Sequence, residues 1–188
     1  MRFKNYIILL EKLATIEDFA ERFGSIKHKG QMRKFSGEPY FEHPKRVASI
    51  VKRFKKSHKL DQLISSAFLH DTIEDTNTTY EDLNKLFGSL VASIVKELSS
   101  DPEEIKKVGK SQYLSDKMIN MSNWALVIKL ADRLDNVSDL KQSSPNFRDK
   151  TVKSTKEILQ ALESKRKLTN TQKNIIKAIK QKLKELDE

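Results

Sequence analysis

The ten residues AFLHDTIEDT, at positions 67–76, combine an apolar run with four chemically active side chains. The apolar part ends at His70 and Asp71, and a second acidic pair, Glu74 and Asp75, follows one helical turn later. Residues three or four apart share one face of a helix, so a helical form of this segment would gather one imidazole and three carboxylates in a small patch. We interpret that patch as part of a metal site that takes further ligands from elsewhere in the chain.

Two other polar residues stand next to apolar ones, where an unpaired polar group is costly to bury. His43 lies in the segment YFEHP, and Asp132 lies in KLADRLDN. Two imidazole nitrogens and two aspartate oxygens suit a divalent ion such as manganese, iron or zinc, with positions left for water and a phosphate oxygen. The predicted metal ligands are therefore His43, His70, Asp71 and Asp132.

The apolar residues of the chain recur at helical spacing and predict an all-α fold. The pattern is clear in segments 16–23, 47–54, 60–69 and 83–98, and a further amphipathic helix is predicted from residue 170 to residue 186. Asp101 before Pro102 is typical of a helix start, and Gly88 is typical of a helix end. Segment 27–44, with two glycines and two prolines, is predicted to be a loop between two helices.

Composition limits the classes of protein to which the chain can belong. With 188 residues it is long enough for one domain with a real core, so we expect one domain over residues 1–188. The chain has no cysteine, which excludes disulfides and thiolate ligands and fits a cytoplasmic protein, and it has no membrane-length apolar run. The net charge of +10 is spread over all predicted helices, which favours a solvated surface over a nucleic-acid site.

The second acidic pair supplies the predicted catalytic groups. A bound ion acidifies its water and neutralises phosphoryl charge, which lets a protein without a covalent nucleophile hydrolyse phosphate esters. We predict that Glu74 acts on the water with Asp75 as its partner. Asn136 lies one helical turn after Asp132 and faces the same way, so its amide is predicted to contact substrate together with Arg33 and Lys34 of the loop before His43.

In this order, the motifs resemble the hydrolase domain of the RelA/SpoT family, the HD-type guanosine-3′,5′-bis(diphosphate) 3′-pyrophosphohydrolases, including single-domain small alarmone hydrolases. The resemblance runs over about residues 28–140 through HKGQMRK, GEPYFEHP, AFLHDTIEDT and VIKLADRLDN, and we expect helices from 146 to 188 to pack on this core. It implies an HD fold, one Mn²⁺ ion on the four predicted ligands, and water activation by Glu74 and Asp75. It also implies that Arg33 stacks on guanine, that Lys34 and Asn136 contact the nucleotide, and that (p)ppGpp of the stringent response is cleaved to pyrophosphate and GDP or GTP.

Two departures from the family pattern bear on the site. Asp135 stands where many members have histidine or an aromatic residue, and the helix after Pro145 offers Thr151 and Thr155 where a tyrosine is common. Two alternatives therefore stay open beside (p)ppGpp hydrolysis. One is the same chemistry on another nucleotide, such as (p)ppApp or NADPH, and the other is a non-catalytic basic module that binds nucleic acid through a vestigial HD pocket. The oligomeric state is left open.

Overall fold

The protein is described by a computed structural model over residues 15–186, and this part of the chain is built from α-helices. They are α1 Ile16–Lys27, α2 Glu42–Phe54, α3 Leu60–Leu69, α4 Thr72–Asp75, α5 Tyr80–Leu98, α6 Pro102–Val108, α7 Lys110–Asn120, α8 Asn123–Ser138, α9 Pro145–Lys165 and α10 Asn170–Lys184, with a 3₁₀ helix at Asp139–Gln142. An isolated β-bridge joins Met32 and Pro39, and residues 15–186 contain no β-strand. The all-α prediction is confirmed.

The helix boundaries follow local signals in the sequence. Thr79 caps α5 through a reciprocal capping box with Asp82. The side chain of Asp101 caps α6 by accepting hydrogen bonds from the backbone N–H groups of Glu103 and Glu104. Gly88 has φ +81° and interrupts the helical geometry of α5, which then continues beyond it to Leu98. The predicted stop is thus a kink, because a glycine backbone enters this region without a Cβ clash.

Helix α8 lies at the centre of the larger hydrophobic core. It packs against α2, α3, α5, α9 and α10, and its own buried residues include Leu126, Ile128, Leu130 and Val137. A second cluster around Phe19, Phe23 and Phe87 joins α1 to α3 and α5. These packings bring the start of α2, the end of α3 and the middle of α8 to one place.

Residues 1–14 and 187–188 lie outside the described part of the chain. The expectation of one domain over residues 1–188 therefore stays a prediction. In the described part of the chain, α9 packs against α7 and α10 packs against α8. Among the described helices, none is both long enough and apolar enough to cross a membrane.

Gly24 allows α1 to approach the end of α3 closely. A Cβ atom on Gly24 would lie 2.5 Å from Cε2 of Phe41 and 2.9 Å from the backbone oxygen of Phe68. Real Cβ contacts are not this short, and a backbone oxygen cannot turn away as a side chain can. Because Phe68 comes two residues before His70, this contact also fixes the segment that carries the candidate ligands.

We expect Gly24→Ala to destabilise the fold by about 1–3 kcal/mol, the usual cost of forcing an extra group into a packed core. Thermal unfolding followed by circular dichroism would show a melting temperature lower by several degrees. Arg22→Ala, on the exposed side of the same helix, serves as the control and should leave the transition almost unchanged. Equal melting temperatures for Gly24→Ala and wild type would contradict the close approach.

Candidate metal centre

Three helices supply the predicted metal ligands. His43 is the second residue of α2, His70 and Asp71 follow the last residue of α3, and Asp132 lies within α8. Since α2 and α3 pack against each other and both pack against α8, their ligand-bearing segments meet. Residues far apart in the sequence thus share one site, as the motifs predicted.

The end of α3 is shaped by its own sequence. The helix stops at Leu69, and the last carbonyl groups lose their intrahelical partners there. His70 Nδ1 lies 2.8 Å from the Ala67 oxygen, and the Thr72 hydroxyl donates to the Leu69 oxygen at 2.7 Å. These bonds hold the imidazole of His70 in place and let the chain turn into α4, so that Asp71 points back toward the other ligands.

The ligand atoms converge within one small, mostly buried space. One ligand atom each from His43, His70 and Asp132 lies within 4.8 Å of the other two, and all three residues are buried. The Nε2 atom of His43 is 3.3 Å from Oδ1 of Asp132. Oδ2 of Asp71 lies 2.8 Å from Nε2 of His70 and 3.8 Å from Nε2 of His43, so Asp71 borders the same space.

This donor set fits a divalent cation. A carbonyl oxygen only accepts hydrogen bonds, so the Nδ1 atom of His70 carries a proton, and in the neutral form of this tautomer the Nε2 atom would offer a lone pair. That Nε2 atom is buried, makes no hydrogen bond, and faces the carboxylate of Asp71, which is also an acceptor. Acceptors that face one another in a buried space need a cation between them, and imidazole with carboxylate suits a transition-metal ion.

Electrostatics keep the two aspartates ionised. Burial alone would raise the pKa of Asp71, but positive charge on the neighbouring His70 ring lowers it below its usual range. Burial likewise opposes ionisation of Asp132, and the Lys129 ammonium, 2.9 Å from Oδ2 of Asp132, outweighs it and lowers the pKa of that carboxyl. Two buried negative charges are therefore present at neutral pH to attract a cation.

The surroundings of His43 also stabilise a positive charge. Burial would lower the pKa of His43, but its hydrogen bonds to Asp132 and Asp135 raise it to about 9. The carboxylates thus stabilise a positive charge at this position, and a metal ion is a stronger form of the same charge.

The acidic pair after the ligands sits in two different environments. Oδ2 of Asp75 accepts from the Tyr40 hydroxyl at 3.1 Å, and the same hydroxyl lies 2.6 Å from Oδ2 of Asp71. Burial and the nearby Asp71 charge raise the pKa of Asp75. Glu74 is exposed, and its Oε2 atom accepts from the backbone N–H of Ser100 at 2.8 Å. Asp75 is therefore linked directly to the ligand cluster, whereas Glu74 is anchored to the segment between α5 and α6.

The predicted substrate-binding residues are only partly brought together. The amide of Asn136 donates to Oδ1 of Asp132, and its Oδ1 accepts from Arg33 Nη2 at 3.0 Å. Arg33 also lies 6.0 Å above the Tyr40 ring. Lys34 points elsewhere, with its ammonium 5.6 Å from the Phe35 ring and 5.9 Å from the Phe147 ring.

Sequence reasoning gave no role to several residues that touch the ligands. Tyr40 bridges Asp71 and Asp75, and Lys129 pairs with Asp132. Asp135 was noted only as a departure from the family pattern, yet it lies 2.6 Å from Nδ1 of His43. The available signal for Lys129 was its place one helical turn before Asp132.

Comparisons with known proteins identify the family of the chain. The family model described as "HD domain" matches residues 18–168. The chain is 37% identical over 128 residues to the zebrafish (Danio rerio) guanosine-3′,5′-bis(diphosphate) 3′-pyrophosphohydrolase MESH1, covering 65% of this chain and 68% of that protein. The chain belongs to this HD-domain hydrolase family.

Further family members support the assignment. A guanosine-3′,5′-bis(diphosphate) 3′-pyrophosphohydrolase of Aquifex aeolicus is 38% identical over 148 residues, which cover 74% of this chain but only 20% of that longer protein. A solved structure described as a metazoan ortholog of SpoT that hydrolyses ppGpp superposes with a TM-score of 0.74 at 26% identity, covering 90% of this chain and 96% of that one. The predicted HD fold and family are confirmed.

Removing one imidazole should abolish tight metal binding. We expect His70→Ala to weaken Mn²⁺ binding at least about 10-fold, because the buried Nε2 atom is lost from the ligand set. Isothermal titration calorimetry of Mn²⁺ into the metal-free protein measures the dissociation constant. His58→Ala removes an exposed imidazole and is the matched control. The same affinity in wild type and His70→Ala would refute this assignment.

Proposed function

We propose that this protein hydrolyses the 3′-pyrophosphate of (p)ppGpp, releasing pyrophosphate and GDP or GTP. The observation that carries the proposal is the buried convergence of His43, His70 and Asp132, with Asp71 beside them, in a chain of this hydrolase family. We further propose that all four residues hold one divalent ion and that this ion is Mn²⁺, since nitrogen and oxygen ligands in this proportion suit it.

The reaction replaces one phosphorus–oxygen bond by another. Water attacks the phosphorus nearest the ribose, the bond from that phosphorus to O3′ breaks, and O3′ receives a proton. A divalent ion, when bound, supplies positive charge to the phosphate and acidifies the water. Glu74 accepts the proton of the attacking water, and Asp75, whose pKa is raised, holds or returns a proton through its contact with the Tyr40 hydroxyl.

The contacts of Tyr40 support a shared alignment of ligand and catalytic groups. Burial and the Asp71 charge raise the pKa of Tyr40, so its hydroxyl keeps its one proton, which is shared between the Asp71 oxygen at 2.6 Å and the Asp75 oxygen at 3.1 Å. A single donor thus fixes the orientation of Asp71 relative to Asp75. This is the kind of fixed geometry on which a hydrolytic site depends.

The polyphosphate and the base have separate candidate partners. Arg33 is held beside Asn136 at the edge of the ligand cluster, where a guanidinium can meet phosphate oxygens or stack on a base. Phe35 and Phe147 form a ring pair with centroids 4.7 Å apart, and Lys34 lies over both rings. We propose that the exposed face of Phe147 receives the purine, in the role that a tyrosine has in other members.

Thr151 and Thr155 do not supply that role. Thr155 is fully buried, and its hydroxyl donates to the Thr151 oxygen within α9. Phe147, by contrast, lies in the first turn of the same helix and is 40% exposed. The proposed aromatic surface therefore consists of Phe147, one turn before Thr151 in α9, and of the loop residue Phe35.

Glu74→Gln should leave metal bound while abolishing turnover. The substitution removes the proposed proton acceptor but keeps the shape of the side chain, so we expect turnover of ppGpp to fall by about 10²–10⁴-fold. Manganese-dependent release of pyrophosphate measures the rate, and calorimetry measures Mn²⁺ binding. Glu81→Gln, an exposed residue at the start of α5, is the charge-matched control. Full activity of Glu74→Gln would exclude Glu74 as the base.

Removing the Phe147 ring should affect binding more than turnover. Base–aromatic stacking contributes about 1–3 kcal/mol, so we expect Phe147→Ala to raise KM for ppGpp by about 5- to 100-fold with a similar kcat. Steady-state kinetics separates the two constants. Val108→Ala, which trims another exposed apolar residue on α6, is the control. An unchanged KM would place the base elsewhere.

Two alternatives are separated by direct assays. Turnover of ppGpp, ppApp and NADPH side by side distinguishes other nucleotide substrates, and absence of turnover with ppGpp would exclude the proposed activity. A non-catalytic nucleic-acid module would show strong, salt-dependent RNA affinity that Asp71→Ala leaves unchanged. The cytoplasmic location is part of the proposal and rests on the absence of cysteine.

A further inference from the structure

A chain of alternating charges leads outward from the metal ligand His43. Nδ1 of His43 lies 2.6 Å from Oδ2 of Asp135, and Arg46 donates to the same carboxylate from Nε at 2.7 Å and from Nη2 at 3.2 Å. Arg46 Nη2 also reaches Oδ2 of Asp139 at 3.4 Å, and that oxygen accepts from Arg33 Nη2 at 2.9 Å. Three side chains thus connect the candidate metal ligand His43 to the candidate substrate residue Arg33.

The innermost part of this chain is buried. His43 is 2% exposed and Asp135 is 3% exposed. Burial would raise the pKa of Asp135, but its hydrogen bonds to His43 and Arg46 lower it. A buried carboxylate is costly unless it is paired, so Asp135 can be both buried and ionised because it contacts His43 and Arg46.

The placement of this carboxylate determines which nitrogen of His43 faces the metal. A carboxylate accepts a hydrogen bond, so Nδ1 keeps its proton, and Nε2 is directed toward Asp132 and Asp71. An acceptor on the far nitrogen of a ligating histidine fixes the ring and makes it a stronger ligand.

We propose that Asp135 is a positioning residue of the metal centre, which acts on the metal through His43 and is itself held by Arg46. Arg46 and Asp139 extend the same chain to Arg33, so one set of charges orients the metal ligand and the substrate arginine. This inference rests on the metal-binding part of the proposed function. It assigns a role to Asp135, one of the two departures from the family pattern.

A purely structural ion pair between Asp135 and Arg46 would predict a different outcome. Loss of such a pair would lower the melting temperature without changing the metal affinity of the folded protein. A positioning role predicts a change in metal affinity at temperatures where the variant is fully folded. The two are therefore separated by measuring both quantities on the same samples.

The test is calorimetric titration of Mn²⁺ into the metal-free full chain, with circular dichroism to verify folding. We expect Asp135→Asn to weaken Mn²⁺ binding by about 10- to 100-fold. Glu42→Gln is the matched control, since it removes one negative charge from the residue before His43. Within residues 15–186, Glu42 forms its salt bridge with the surface residue Lys45. Glu42→Gln should bind Mn²⁺ as wild type does.

A folded Asp135→Asn variant with wild-type affinity would overturn the proposal, and so would an equal loss in Glu42→Gln, which would indicate general charge and not positioning. Arg46→Met gives a second variant that keeps the carboxylate, and we expect a smaller loss of affinity from it. These measurements use the metal alone. They stay valid if the protein fails to hydrolyse ppGpp, so failure of the substrate assignment and failure of this inference can be told apart.

A spectroscopic measurement on the wild type covers the case in which Asp135→Asn does not fold. In the Zn²⁺-loaded protein, long-range proton–nitrogen spectra of the imidazoles show which nitrogen of His43 carries the proton. We expect the proton on Nδ1 and the metal on Nε2. The reverse assignment would exclude Asp135 as the acceptor that orients the ring.

Discussion

The rest of the site depends on one constraint: several hydrogen-bond acceptor groups lie close together in a mostly buried space at the end of α3. Asp71 and Asp132 stay ionised in a space that also holds the Nε2 atoms of two histidines. Such an arrangement is unfavourable in a low-dielectric interior unless positive charge balances it. The candidate cation site is therefore a consequence of the fold, and the surrounding groups are arranged to make that charge distribution tolerable.

The neighbouring residues divide this task among them. Lys129 and Asn136 satisfy the two oxygens of Asp132, and Tyr40 donates to Asp71 and Asp75. Lys129 and Asn136 lie on α8, which packs in the core, and Tyr40 lies in the loop before α2. The rigid helical scaffold thus holds the ligand atoms in fixed positions, which is how precise sites are usually built.

The sequence predicted the parts of the site that repeat a recognisable spacing. The helical period gave the fold class, and the pairs His70-Asp71 and Glu74-Asp75 gave the acidic patch. The contact between Asp135 and Arg46 could not be predicted because Arg46 lies 89 residues earlier, and a pairing of that kind has no periodic signal. The orientation of Glu74 toward Ser100 also could not be predicted, since it depends on where α5 ends relative to α4.

The ion pair between Lys129 and Asp132 places a positive charge of the protein itself beside the candidate metal ligands. Burial would lower the pKa of Lys129, but the Asp132 charge raises it, so the ammonium persists inside the protein beside Asp132. One of the two carboxylates of the candidate site is thus neutralised by the protein's own charge. The fold therefore balances part of the negative charge of this site by itself, which favours an assembled site before any ion arrives.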